Sequence, residues 1–225
     1  LTGYTKLSQE LDTEDVHSLL GEFYDRFDVI VRRLGGTVDR HIGDCVMAVF
    51  GAPVSYGNDA ERALRAALEM HRAMKEIALR LGRELSVHIG VAAGNVMFSS
   101  QGMGALKDRE FTLTGDSVNL ASRLANEAKG TETLITRLIH QALDDRIECE
   151  PRDSLAVKGF EQRIEVYRLI GFRDNATEHP MIGRADEVAR FTRSLTDCQA
   201  SGRGTAIALV AEAGLGKSRL IEELA

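Results

Sequence analysis

The sequence predicts an α+β sandwich over residues 1–170, joined by a linker at 171–180 to the first part of an α/β segment at 181–225. Three observations predict it. Helix-period and strand-like apolar runs alternate along the chain. Short hairpin-like pairs interrupt that alternation, which favours a sandwich over a doubly wound sheet. A polar stretch ending in Pro180 (Gly-Phe-Arg-Asp-Asn-Ala-Thr-Glu-His-Pro) then divides the chain.

The first helix is marked by Val16, Leu19, Leu20, Phe23, Phe27, Ile30, Val31 and Leu34 at helical spacing. Thr13 is the expected cap, Glu14 and Asp15 suit the first turn, and Gly35-Gly36 ends the helix. Residues 37–40 lead to a tight turn at Gly43-Asp44, and the apolar run Cys45 to Phe50 reads as a buried strand. A second helix is expected from Asp59 to Leu81, capped by Asn58 or Asp59 and stopped by Gly82. Leu85 to Val91 reads as a strand, and Gly94 to Ala105 as a turn or extended arm. Glu110 to Leu113 is a strand candidate and Asp116 to Ala128 a helix, with Val118, Ala121 and Leu124 as its apolar side. Leu134-Ile135, a helix near 137–143 and strands near 154–158 and 163–169 complete the domain. Beyond the linker lie a helix near 185–200, a strand at Ala206 to Val210, a loop and a last helix.

Bulk properties exclude some classes. Apolar residues make up 44% and charged residues 28%, as in an ordinary globular protein. The net charge of −6 argues against nucleic-acid and anionic-membrane surfaces, which need excess Lys and Arg. No apolar run approaches the roughly 18 residues that span a bilayer, so no membrane insertion is expected. Cys45, Cys149 and Cys198 show neither metal-site nor disulfide spacing, which points to a reducing, cytoplasmic setting. The chain opens on Leu1-Thr2-Gly3-Tyr4-Thr5, which reads as the middle of a motif, and is expected to be a piece of a longer protein.

Two stretches carry chemistry. Arg40-His41-Ile42-Gly43-Asp44 places one carboxylate at a hairpin tip. Asp and Gly suit such a turn for backbone reasons alone, and a lone carboxylate is a thin Mg²⁺ site without substrate phosphates. In the stretch from Thr112 to Leu124, Asn119 and Arg123 lie four apart and share a helix face. A guanidinium beside an amide suits developing phosphoryl charge, and a solvated polar face has the same pattern. His41 and His88 read as packing or surface residues.

Taken together, in this order, these pieces resemble the catalytic domain of class III adenylate and guanylate cyclases over residues 1–170. Leu1-Thr2-Gly3-Tyr4-Thr5 resembles the end of that family's Phe-x-Asp-Ile-x-Gly-Phe-Thr motif. Arg40 to Asp44 resembles its Lys-x-x-Gly-Asp motif, and Thr112 to Arg123 the segment ending in Val-Asn-x-Ala-x-Arg. Gly90 to Gly94 and Val157-Lys158-Gly159 fall at comparable places. The resemblance implies a ferredoxin-like sandwich that forms a homodimer with two composite sites, turning ATP into 3′,5′-cyclic AMP and pyrophosphate. It implies two Mg²⁺ or Mn²⁺ ions per site, held by Asp44 and the carbonyl of Leu1. It assigns Gly3, Tyr4 and Thr5 to the β- and γ-phosphates through their N–H groups, and Lys158 to the terminal phosphates. Arg40 and Thr112 would read the purine, Asn119 would orient the ribose, and Arg123 would stabilise the α-phosphate.

The sequence departs from the family pattern in two places. The first metal Asp and the first strand would precede Leu1, so this chain as written is expected to be inactive or nearly so. Arg40 stands where adenylate cyclases usually carry Lys; Thr112 keeps ATP the expected substrate, with guanylate activity as the alternative. A different alternative is a catalytically silent, cyclase-like regulatory or dimerisation module. Farther on, Ala211-Glu-Ala-Gly214-Leu-Gly216-Lys217-Ser218, placed between an apolar run and a helix, resembles a phosphate-binding P-loop. Ala211 replaces its first Gly. With Pro180-Met-Ile-Gly183-Arg184 upstream, the segment is similar to the entry of AAA-type signalling ATPases.

Overall fold

The computed structural model describes residues 1–101, 110–155, 163–173, 183–209 and 220. The chain divides into two compact units, Leu1–Arg173 and Asp174–Ala225. Lys158 and the P-loop residues Gly214, Gly216, Lys217 and Ser218 lie outside the described residues, as does the side chain of Thr112.

The first unit is α+β. It begins with α1 (Tyr4–Glu10) and α2 (Thr13–Arg33). Asp12, not Thr13, is the N-cap of α2, one residue earlier than expected; its extended backbone (φ −65°, ψ 152°) leaves Thr13 as the first helical residue. Glu14 and Asp15 near the start and Arg32 and Arg33 near the end complement the helix dipole. The ribbon β1 (Thr37–Ile42) and β2 (Cys45–Val49) follows as an antiparallel pair. Its second strand is only half-buried, with Cys45 exposed, which corrects the expectation of a buried run. The reason is that, among the described residues, β2 pairs with β1 alone and so keeps an open edge. Helix α3 (Asp59–Leu81) matches its expected ends, with Gly82 left-handed at φ 61° as C-cap.

Strand β3 (Ile89–Val91) is shorter than the apolar run 85–91 suggests. Leu85 and Val87 are buried before the ladder starts, and Ser86 makes an isolated bridge to Thr2. The stretch expected as an arm contains β4 (Met97–Gln101), which pairs antiparallel with β5 (Glu110–Thr114). Helix α4 (Asp116–Glu127) follows, then β6 (Thr133–Thr136), α5 (Arg137–Ala142), β7 (Ile147–Leu155) and β8 (Ile164–Phe172). β7 starts seven residues before the expected 154. Its Pro151 and charged residues hide it from a periodicity search, and both are tolerated because it is the edge of the order β3-β6-β8-β7. β3 and β6 are parallel, and β8 is antiparallel to both β6 and β7. Among the described residues the strands therefore form a four-stranded mixed sheet and two separate ribbons rather than one sheet.

Phe23, Phe27, Ile30 and Val31 of α2 meet Met70, Met74 and Ile77 of α3 and Leu85 and Val87 in the main core. A second cluster joins Leu64 to Ile135, Ile139, Ile147 and Leu169, and a third joins Leu120 and Leu124 to Leu134 and Val166. Burying each such side chain contributes about 2 kcal/mol. Among the described residues no helix is long and apolar enough to cross a membrane.

The second unit contains α6 (Ala185–Ser201), close to its expected span. Residues 203–209 carry no strand, which corrects the expectation for Ala206 to Leu209; Val210 lies outside the described residues. A strand exists only by hydrogen bonding to a neighbour, and the described residues of this unit offer none.

Candidate active site

Two groups of residues singled out from the sequence occupy two different places. The first is the tip of the β1–β2 ribbon. Gly43 takes φ 57° there, a left-handed turn that leaves Asp44 partly exposed, with its side chain 36% accessible. The backbone nitrogen of Leu1 lies 3.0 Å from Asp44 Oδ2 and 3.1 Å from the Asp44 carbonyl oxygen. Gly3 begins α1 at φ 86°, and a Cβ on it would come within 3.3 Å of the Glu84 carbonyl. The N–H groups of Gly3, Tyr4 and Thr5 precede the first helical bond, which Leu7 N–H makes to the Gly3 carbonyl at 3.0 Å. They are thus open to an external acceptor. Tyr4 and Asp44 are close enough to Tyr24 to affect its ionisation. β1, which carries Arg40, lies against β5, which carries Thr112.

The ribbon tip is braced from α2 by residues that the sequence did not single out. Tyr24 donates its hydroxyl proton to the Gly43 carbonyl. Its ring stacks on His41 at 4.2 Å, and His41 Nε2 lies 2.9 Å from Asp28 Oδ1. Arg32 donates to Asp28 Oδ2 at 2.9 Å and closes the chain of contacts. Burial, then the charges of Tyr4, Asp44 and Cys45, raise the Tyr24 pKa above its ordinary value, so the phenol stays a donor. The i, i+4 pair Tyr24 and Asp28 on one side of α2 was the available signal. His41 acts as the packing residue the sequence suggested.

The second place is α4. Ser117, Leu120 and Leu124 are its buried side, whereas Val118 and Ala121 are only half-buried, which shifts the expected apolar face by one residue. The cause is seating: α4 packs on β3 and β6, and Ser117 Oγ donates to the Asn95 carbonyl at 3.3 Å. Asn119 is exposed and Arg123 half-buried. A Cβ at Gly90 of β3 would fall 2.1 Å from the Ala121 carbonyl and 2.3 Å from the Ala125 nitrogen. Only glycine lets α4 approach the strand this closely. His88, at the edge of this seat, has Nδ1 2.5 Å from the Ala125 carbonyl.

Among the described residues, no hydrogen bond or ion pair joins Asn119 or Arg123 to the Asp44 group. A metal ion has a partial fit at the ribbon tip. Asp44 supplies one partly exposed carboxylate there. Yet no cluster of three or more His, Cys, Asp or Glu suitable for a metal exists among the described residues. One carboxylate leaves most of the coordination to water and substrate phosphates, as Mg²⁺ often accepts.

Comparison with known proteins gives this arrangement a context. Residues 1–171 match the family described as the adenylate and guanylate cyclase catalytic domain. Adenylate cyclase 1 of Rhizobium meliloti is 29% identical over 174 residues, covering 75% of this chain and 26% of its own. The chain thus spans about a quarter of that relative's length. The crystal structure of the adenylyl cyclase CyaB from P. aeruginosa superimposes with a TM-score of 0.68 at 31% identity, over 77% of this chain and 91% of its own. That of the guanylyl cyclase Cya2 does so with a TM-score of 0.70 at 26% identity, over 79% and 91%. With the fold, the ribbon tip and the glycine-seated helix in place, residues 1–171 belong to the adenylate and guanylate cyclase catalytic domain family.

Proposed function

We propose that the chain is the catalytic part of a nucleotide cyclase that converts ATP to 3′,5′-cyclic AMP and pyrophosphate at the interface of a homodimer. The observation that carries this reading is that the two functional groups stand on different elements, with no hydrogen bond or ion pair between them among the described residues. Asp44 stands on the ribbon and Asn119 and Arg123 on α4, and among the described residues neither side chain of the latter pair makes a hydrogen bond or ion pair. Two copies related by a two-fold axis supply each site with both halves.

In that site the N–H groups of Gly3, Tyr4 and Thr5 bind the β- and γ-phosphates, assisted by Lys158. Arg40 and Thr112 read the purine. Asn119 holds the ribose so that its 3′-oxygen lies in line with the α-phosphorus. The 3′-oxygen forms the new bond to phosphorus as pyrophosphate departs with the bridging oxygen, and the 3′-hydroxyl proton passes to water. Arg123 stabilises the charge that builds on the α-phosphate oxygens. Mg²⁺ or Mn²⁺ bound at Asp44 and the Leu1 carbonyl would favour loss of the 3′-hydroxyl proton and neutralise the leaving group. Thr112 supports ATP over GTP. Residues 181–225, with Gly214, Gly216, Lys217 and Ser218, are read as the start of a P-loop ATPase unit in the same protein.

A second reading has one observation behind it. The described residues supply a single carboxylate at the metal position, which suits a regulatory or dimerisation module as well. The full-length protein decides between them. Cyclic nucleotide formation is measured with ATP and with GTP, with Mg²⁺ and with Mn²⁺. Asp44→Asn and Arg123→Ala each lower turnover at least about 100-fold. Mixing the two variants restores up to about a quarter of the activity, because half the dimers then hold one intact site. Absence of turnover in the unmodified protein supports the regulatory module, and absence of complementation removes the shared site.

A further inference from the structure

Asp39 is a buried carboxylate in an unusual place. The β1–β2 register runs Val38↔Ala48 and then Arg40↔Met47, so Asp39 is the extra residue of a β-bulge. In a regular strand, successive side chains point to opposite faces and cannot meet. A bulge turns neighbouring side chains towards one side. Arg40 Nε accordingly donates to Asp39 Oδ2 at 2.6 Å. The Asp39 side chain is 0% accessible and that of Arg40 42%. Asp39 Oδ1 has no hydrogen-bond partner among the described residues. A carboxylate kept out of water with one oxygen unpaired costs stability that Val or Ile at this strand position would not.

We propose that Asp39 is a positioning residue for purine recognition: its buried carboxylate, brought beside Arg40 by the bulge, holds the Nε edge of the guanidinium and leaves the Nη edge to discriminate between ATP and GTP. The inference rests on the cyclase reading and deepens it. A guanidinium has only donors to offer. Guanine presents O6 and N7 as two adjacent acceptors, whereas adenine presents an acceptor beside a donor. How the guanidinium is rotated therefore decides which base it meets well. A free Arg side chain explores many rotamers; one tied at Nε presents a single edge. Nothing else among the described residues hydrogen-bonds to Arg40.

The test uses the full-length protein and the variants Asp39→Asn, Asp39→Val, Arg40→Ala and Asp39→Asn/Arg40→Ala. For each, kcat and KM are measured with ATP and GTP, together with Kd for the non-cyclising 3′-deoxy-ATP and 3′-deoxy-GTP. We expect both Asp39 variants to raise KM for the preferred nucleotide about tenfold, with kcat within about threefold, and to narrow the preference about tenfold. The double variant should match Arg40→Ala alone. Asp39→Val, an apolar replacement for a buried charge, should melt no lower than the native protein, which separates positioning from folding. A structural role would instead lower both nucleotides in parallel. If Arg40→Ala narrows the preference and neither Asp39 variant does, the inference is overturned while the cyclase reading stands. If Arg40→Ala leaves the preference unchanged, base reading by Arg40 and the inference fall together. If the native protein turns over neither nucleotide, the ratio of deoxynucleotide affinities carries the same comparison. If it binds neither, both readings fail.

Discussion

The ribbon β1–β2 and the helix α4 are held by opposite means. The ribbon tip is propped by polar side chains: the Tyr24 hydroxyl on the Gly43 carbonyl, the His41 ring on Tyr24, and Asp28 behind it. Helix α4 is held by the absence of a side chain, since Gly90 allows its backbone to lie directly on β3. Polar props can be loosened by degrees, because each contributes about 1 kcal/mol. A backbone contact that excludes a methyl group has no intermediate state.

The largest expected effect breaks the second kind of support. Gly90→Ala forces α4 off its strand and should cost about 3 kcal/mol. In calorimetry that is a fall on the order of 8 °C in melting temperature, with turnover lost because Asn119 and Arg123 move together. A melting point within about 1 °C of the native value would mean that α4 is not seated as described. Next comes Arg62→Ala. Arg62 donates to the Leu34 carbonyl and to Asn58 and Asp59, and lies 4.6 Å over the Tyr56 ring, tying the loop after β2 to the end of α2. Its loss should cost about 2 kcal/mol in urea unfolding, with a smaller effect on turnover than Gly90→Ala. Tyr24→Phe, which keeps the ring and removes the donor, should cost about 1 kcal/mol and lower kcat/KM severalfold, chiefly through KM. If Tyr24→Phe lowers the melting point without touching KM, the props stabilise the ribbon but do not shape the site.

The smallest effect at neutral pH belongs to neither region but to His71 of α3. Its Nε2 is 2.8 Å from Thr133 Oγ1, and burial pushes its pKa down from 6.5 to about 4. A lowered folded pKa means that the unfolded chain takes up the proton first. The contribution is thus complete above about pH 6.5 and lost as pH falls towards about 4, up to about 3 kcal/mol. Urea midpoints from pH 7 to 4 should fall along that limb, and His71→Phe should flatten it. An unchanged slope in His71→Phe would assign the acid limb to other groups.

Much of this was legible before any coordinates. α2, α3 and α4 follow from 3.6-residue periodicity, and Gly82 and Gly35 mark helix ends as glycines at such places do. The family was legible in the ordered motifs around Asp44, Asn119 and Arg123, and the match over residues 1–171 agrees with it; the roles of those three residues are what the motifs propose. What stayed hidden has physical causes. β7 was obscured because an edge strand admits Pro151 and paired charges such as Glu150 with Arg168. The bulge at Asp39 leaves no trace in composition, since it depends on the partner strand's register. Gly90 lay within a stretch already noticed, but its reason is a helix arriving from 30 residues later. The run 206–209 shows the converse, a strand-like sequence with no neighbour to pair with among the described residues.

The ribbon's separation from the four-stranded sheet has a consequence for how the molecule breathes. A two-stranded ribbon opens at lower free energy than the interior of a larger sheet. The amide protons of residues 37–49 should therefore trade for deuterium well before those of β6 and β8. A ligand gripping Arg40 or Asp44 would slow that trade in the ribbon alone and leave the central strands at their own pace. Isotope uptake along 37–49 is thus a gauge of occupancy that works even where no product forms.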